Sequence, residues 1–383
     1  MALIAAVFFR LWLRASSSIP QSKEKEKTDK RTDFKETTTN SDKSSELSVP
    51  ILSSGGVELA PLLLPSHSTS SRHDLDGISN ASDVKITIPT TRHKAIEIEP
   101  NELIIGHDRI GWGSFGVVSK GKWRGIDVAV KRCHAHQLND GMIKDFKAEI
   151  AIMSNLAHPN ILQLLGYIIQ PNNLVLVSEF VPCGSLFDLL HGPTTPDQMR
   201  REAVTPSLRL NMALDICKGM HYLHSCVPAI VHRDIKSSNL LVDSNGKIKV
   251  CDFGLSRILN ADYLPSTLGM GDVQYASPEV MKGGHVSEKS DVYSFGVVLW
   301  EMVTLITPWR DLRPEQVVLA VAGEGKQLSL DDGMQAEVRR LIEECWRPLP
   351  RERPSFAWLI KRLSEMKGIT CLNHRSGAST SIC

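Results

Sequence analysis

The sequence predicts an α+β protein of two unequal lobes: a small β-rich lobe with one key helix, then a larger, mainly α lobe. Three observations carry that reading. From about Glu97, short β-patterned runs recur at Glu102 to Ile105, Val128 to Lys131 and Leu174 to Val177, with a single helical pattern among them. After Gly184 the pattern is mainly helical, at Leu208 to His224, Asp291 to Thr304 and Gln335 to Trp346. An Asn245-Gly246 pair between two apolar runs marks one hairpin inside that helical part.

The flanks read differently. Residues 2 to 13 are apolar except for Arg10, and Ser, Thr, Lys and Glu dominate from Ala15 to about Asn80. Segment 21 to 46 holds one aromatic, Phe34, and cannot bury enough surface to offset its chain entropy. The chain therefore divides into an apolar stub (1–14), a disordered linker (15–96), the two-lobed domain (97–367) and a flexible tail (368–383). The stub has three readings: a fraying terminus, the last turns of a truncated membrane span, or an organellar presequence. Arg10 and Arg14, with no acid before Glu24, suit the last two, and a span remnant would attach the protein to a membrane.

Composition removes several function classes. Lys+Arg 44 against Asp+Glu 43 gives a net charge of +1, so no overall field draws the chain to nucleic acid. Eight cysteines without a CxxC pair suggest neither a disulfide framework nor a zinc site, and a reducing, cytoplasmic setting fits.

The chemistry begins at Ile110, where Gly111, Gly113 and Gly116 form a GxGxxG, by itself a weak signal. A dinucleotide site would continue into a helix with an acid about 20 positions on. Here a strand pattern follows, from Val117 to Trp123, and Lys131 occupies that position. A glycine-rich hairpin lets backbone amides approach phosphate oxygens, and a later strand can deliver one ammonium to them. Period two puts Lys131 on the same side as Ala129 and Asp127. Ile143, Phe146, Ile150 and Met153 form the apolar face of the next helix, with Glu149 at its edge and able to face Lys131. Taken alone, Lys131 reads rather as a snorkelling surface residue and Glu149 as one solvated charge among many, a balance the motifs that follow reverse.

Folding the chain about Asn245-Gly246 as a two-residue turn sets Asn239 opposite Asp252. Both offer hard oxygens suited to Mg²⁺, although either alone is more often a cap or turn former. Asp234 and Lys236 lie in the same loop, and that set can position a hydroxyl and stabilise phosphoryl charge.

At this point the residues resemble the eukaryotic protein kinase family, over about Leu103 to Leu363 and with the motifs in the family's order. Besides the glycine loop, VAVK, HRDIKSSN and DFG, the chain has Ser277-Pro278-Glu279 where the family reads APE, then DVYSFG from Asp291, Cys345-Trp346 and Arg353-Pro354. The resemblance implies the bilobal kinase fold and a set of roles. Ile110 and the loop through Gly111, Gly113 and Gly116 would cover ATP, and Lys131, held by Glu149, would contact its α and β phosphates. Val118, Ala129 and Leu241 look like the adenine sandwich, Ser178 like the gatekeeper, and Glu179 to Val181 like the hinge. Asn239 and Asp252 would bind Mg²⁺. Asp234 would orient the substrate hydroxyl and take its proton, and Lys236 would neutralise the transferring phosphate. Glu279 and Arg353 look like the family's buried ion pair. Met153, Leu164, His232 and Phe253 would form the stack that marks the active state, or be ordinary core. Cys251 reads as a small core residue.

Lys236 follows the serine/threonine pattern. KWRGIDVAVK, HPNILQLLGY, SDVYSFGVVLWE and CWRPLPRERPSF resemble the tyrosine-kinase-like group, with its Raf-like, mixed-lineage and plant constitutive-response kinases. The expected partners are proteins bearing Ser or Thr. A scaffold without activity and a dual-specificity or tyrosine kinase are the competing readings. One departure stands out: the Thr or Ser usual seven residues before the Glu of APE is Asp272, whose carboxylate can pair with Lys236 or repel Asp234. Residues 255 to 276 form the expected activation segment. Ser266 or Thr267, ahead of Tyr263, is the expected target of an upstream kinase, with Arg233 as the phosphate's partner.

Overall fold

In the computed structural model of the chain, the described residues run from 95 to 376, apart from 114–115, 134–139, 172, 193–203, 259–263, 266–271 and 332. The expectations for the stub, for nearly all of the linker and for Tyr263, Ser266 and Thr267 lie outside them.

The small lobe is a six-stranded sheet: β1 (Ile96–Glu97), β2 (Leu103–Gly113), β3 (Gly116–Trp123), β4 (Ile126–Cys133), β5 (Leu164–Gln170) and β6 (Asn173–Glu179), in the order β1-β5-β6-β4-β3-β2. Alternation sorts its side chains. Val128 and Val130 of β4 are fully buried and meet Val175, Val177 and Trp123 in one core, while Ala129 and Lys131 face the other side. The register places Val118 opposite Lys131 and Ser178 opposite Ala129, so all four share that second face. β1 is too short to show a periodicity. It runs parallel to β5 over Gly166, where an added Cβ would stand 2.6 Å from the Ile96 carbonyl oxygen, so only glycine seats it. The key helix, α1 (Asp140–Met153), buries Phe146, Ile150 and Met153, packs a half-buried Ile143 against the core, and buries Glu149 beside them.

The large lobe is helical: α2 (Leu186–His191), α3 (Pro206–His224), α4 (Pro278–Met281), α5 (Glu288–Thr304), α6 (Pro314–Val318), α7 (Ala336–Cys345) and α8 (Phe356–Ser376). Helix starts follow capping chemistry. Thr205 accepts a hydrogen bond from the Leu208 amide just before Pro206, and Ser287 forms a capping box with Ser290. α5 buries every residue from Ser290 to Met302 and is the central element. α8 continues to Ser376, past the expected boundary at Lys367.

β8 (Leu240–Val242) pairs with β9 (Ile248–Val250) as the hairpin signal implies, but one residue away from the expected register. The turn holds three residues, because the Asp243 carboxylate accepts from the amides of Asn245 and Lys247 while Gly246 takes φ +75°. Asn239 therefore sits across from Cys251, whose amide donates to its carbonyl, and not across from Asp252. Two further pairs complete the strand set, β7 (Ile230–Val231) with β10 (Arg257–Ile258) and β11 (Leu264–Pro265) with β12 (His285–Val286). Among the described residues no helix is long and apolar enough to cross a membrane.

Candidate active site

The glycine hairpin closes β2 onto β3 with Gly113 opposite Gly116, and a strand follows it, as the sequence pattern requires. The glycines differ in what demands them. A Cβ on Gly116 would lie 1.8 Å from the Arg132 carbonyl oxygen, so packing against β4 fixes that glycine. A Cβ on Gly111 would make only ordinary contact with Val118, at 3.5 Å. Chain packing thus leaves Gly111 unexplained, whereas close approach of a phosphate to the backbone would explain it. Half-buried Val118 and Ala129 from the small lobe, half-buried Leu241 on β8 and Ile110, 46% exposed, offer apolar contact area for a planar ring.

Lys131 Nζ is 3.3 Å from Glu149 Oε1 and 2.8 Å from Asp252 Oδ1. The second carboxylate was not anticipated as a partner. Burial alone would lower the lysine's pKa, yet the two carboxylates raise it well above the ordinary value, so it stays an ammonium. Burial raises the Glu149 carboxyl more than Lys131 lowers it. Burial also acts to raise Asp252, but the charge and hydrogen bond of Lys131 hold it below the usual range. Asp252 reaches Lys131 through a backbone turn at φ +64°, a conformation unusual outside glycine.

Asp234 is held from three directions. Its Oδ2 accepts from Lys236 Nζ at 3.0 Å and from Asn239 Nδ2 at 2.8 Å, and its Oδ1 accepts from the Asp272 amide at 3.1 Å. Asn239 Nδ2 also donates to the Asp234 carbonyl, so both its roles point at this loop and Oδ1 remains as an acceptor. With Asp252, that oxygen makes a hard donor pair matching what Mg²⁺ takes from a protein when phosphates complete its shell. The residues present fit the ion.

The loop is anchored from below. The amides of His232 and Arg233 donate to the two oxygens of Asp291, at 2.9 and 2.8 Å, and His224 Nε2 lies 2.9 Å from the same carboxylate. His232 Nε2 contacts the Cys251 carbonyl, and its ring meets Phe253 edge-on at 5.1 Å. Met153, Leu164, His232 and Phe253 are all buried, as either reading of them requires. Glu301, fully buried, meets His191 Nε2, Ser237 Oγ and Tyr275 Oη at 2.9, 2.9 and 3.0 Å. Sequence reasoning gave Asp291 and Glu301 no role. Their signal was two acids inside the apolar run of α5, which must be paired to be buried. Arg353 and Glu279 form the expected ion pair, and it is bidentate, at 2.7 and 2.8 Å.

Glu179 turns its carboxylate Oε1 to Lys249 Nζ, 2.8 Å away, and to the Gln163 amide. Ser178 is half-buried on the cleft face and Val181 is buried. Cys251 is buried, as a small core residue is, and burial pushes its thiol up. Asp272 does not pair with Lys236: its Oδ1 caps its own turn by accepting from the Gln274 amide at 3.2 Å, while its main-chain amide donates to Asp234.

Residues 104–363 match the family described as protein tyrosine and serine/threonine kinase. Over 271 residues, 71% of this chain, the sequence is 44% identical to the probable serine/threonine-protein kinase SIS8 of Arabidopsis thaliana, covering 26% of that protein. It is 41% identical to the serine/threonine-protein kinase CTR1 of the same plant, over 74% of this chain and 35% of the relative. It is 40% identical to the dual specificity protein kinase shkC of Dictyostelium discoideum, over 73% of this chain and 54% of the relative. The aligned part thus spans about a quarter to about half of these curated relatives.

Proposed function

The chain belongs to the protein tyrosine and serine/threonine kinase family, and from that premise we propose that it transfers the γ-phosphoryl group of MgATP to Ser or Thr hydroxyls of proteins. The observation that carries the proposal is Asp234, fixed by Lys236, Asn239 and the Asp272 amide in one loop beside the Lys131–Asp252 pair. An acceptor hydroxyl donates to Asp234, which orients its oxygen toward the γ-phosphorus. As the acceptor oxygen bonds to phosphorus, the bridging oxygen leaves with the diphosphate and the hydroxyl proton passes to Asp234. Lys236 stands 3.0 Å from Asp234 and supplies positive charge to the transferring group. Lys131 serves the α and β phosphates, and Gly111, Gly113 and Gly116 cover them. Asn239 Oδ1 and Asp252 would hold Mg²⁺, which when bound supplies charge neutralisation at the phosphates.

Lys236 and the printed names of SIS8 and CTR1 support serine and threonine as acceptors, and the name of shkC supports a wider range. Asp272 is the feature favouring an inactive scaffold, and its amide's hydrogen bond to Asp234 supports the active reading instead. The six described cysteines are free thiols, which supports a cytoplasmic setting. Arg233 stands in the catalytic loop, its amide bonded to Asp291, and is the partner expected for a phosphate on Ser266 or Thr267. An upstream kinase acting there completes the reading. The test is incubation with labelled MgATP and a protein acceptor, followed by phosphoamino-acid analysis. Phosphoserine or phosphothreonine is expected. Phosphotyrosine alone would sink the acceptor class, and an active double variant Ser266→Ala/Thr267→Ala would sink the switch.

A further inference from the structure

Asp272 occupies a position where its main chain and its side chain do separate things. The amide donates to Asp234 Oδ1, the carboxylate that takes the acceptor's proton, so the residue lies against the point where a substrate chain must present its hydroxyl. The side chain caps the turn with one oxygen, at the Gln274 amide. Its backbone is also fixed from the far side, because its carbonyl accepts from the Tyr275 amide and Tyr275 Oη is tied to buried Glu301. The carboxylate is therefore held in place.

Its charge is not cancelled. Lys236, the cation of this loop, pairs with Asp234, and no cation lies within ion-pair distance of Asp272 among the described residues. Asp272 is partly exposed, and the chain's net charge of +1 gives no long-range field to mask a local one. We propose that Asp272 is a specificity-determining residue whose carboxylate selects acceptor sites with a lysine or arginine within one or two residues of the hydroxyl, and rejects sites flanked by acidic residues. The inference rests on the phosphotransfer reading, which places the acceptor at Asp234.

The experiment compares serine peptides carrying Lys, Ala or Glu beside the acceptor, with the full chain as wild type, Asp272→Asn and Asp272→Lys. For wild type kcat/KM should favour Lys over Ala about 5-fold, equivalent to about 1 kcal/mol, and disfavour Glu by a similar factor. Asp272→Asn should bring the three peptides within about 2-fold of one another, and Asp272→Lys should favour Glu. The wild-type preference should shrink as salt is raised. Indifference of the wild type to flanking charge, or an unchanged preference in Asp272→Asn, would overturn the assignment. Binding of the same peptides with the acceptor changed to alanine, followed by fluorescence anisotropy, separates the two readings. If no protein transfers phosphate while binding still follows the charge at position 272, the phosphotransfer reading fails and the recognition stands. Binding that ignores position 272 removes the recognition itself.

Discussion

The cleft and the floor of the large lobe use the same ionisable residue types and differ in what surrounds them. In the cleft, the side chains of Lys131, Asp252 and Lys236 are 18%, 26% and 22% exposed, and Asn239 Oδ1 is left as an acceptor. Beneath it, Arg353, Asp291 and Glu301 are 0–1% exposed, and fixed donors or acceptors meet each of them. The difference teaches what each set does. Charges that are completely satisfied and dry hold backbone segments in place, here the loop at His232–Arg233, Ser237 and Tyr275, and the base of α4. Charges left partly exposed, as Lys131, Lys236 and Asp252 are, with coordination capacity in reserve, are available to a ligand. Removing a floor charge should therefore unfold the protein, and removing a cleft charge should silence it.

The largest effect expected is kinetic. Asp234→Asn should lower kcat by about 10²- to 10⁴-fold in a steady-state transfer assay. The thermal midpoint should move by no more than about 2 °C. A variant that also unfolds would place Asp234 with the floor.

Next comes the converse. Arg353→Leu strands Glu279 without its guanidinium and should cost about 3–5 kcal/mol, lowering the thermal midpoint by about 10 °C. Replacing both partners with apolar residues of matching volume should recover most of that loss, since the pair's own desolvation is removed with it. Double-mutant unfolding curves would show this.

Acid titration sharpens the contrast. Burial raises the Glu279 carboxyl, but the hydrogen bonds and charge of Arg353 outweigh it and hold the group below its ordinary value. A depressed carboxyl stabilises the fold above its unfolded pKa, about 4.3, and that contribution is lost as pH falls through the folded value. Glu149 has the opposite sign, because its raised pKa makes its charge a cost that protonation relieves. Thermal midpoints should thus fall below about pH 4, with a shallower acid limb in Glu279→Gln than in wild type.

How much of this was legible in the sequence depended on the range of the interaction involved. Period two in β4 and the apolar face of α1 are local patterns, and they put Lys131 and Glu149 together as expected. The hairpin showed the limit. Asn245-Gly246 identified a turn, but the Asp243 carboxylate bonding two amides made it a three-residue turn and moved Asn239 opposite Cys251. A side chain competing for backbone donors is not visible in the apolar pattern. The Lys131–Asp252 contact and the Glu301 cluster join segments far apart in the chain, so spacing alone could not pair them. The smallest effect follows from the same turn: Gly246→Ala, forced to φ +75°, should cost about 1 kcal/mol in urea unfolding and leave kcat unchanged.

The central claim is that the cleft charges are catalytic and not structural, and Asp252 tests it most directly. Phosphate transfer from labelled MgATP should be measured for wild type and Asp252→Asn, with thermal unfolding on the same samples. The account predicts label on Ser or Thr with wild type, loss of about 10³-fold or more in the variant, and a thermal midpoint within about 2 °C of wild type. Equal labelling by the two proteins, or an Asp252→Asn protein that loses its fold together with its activity, would contradict it.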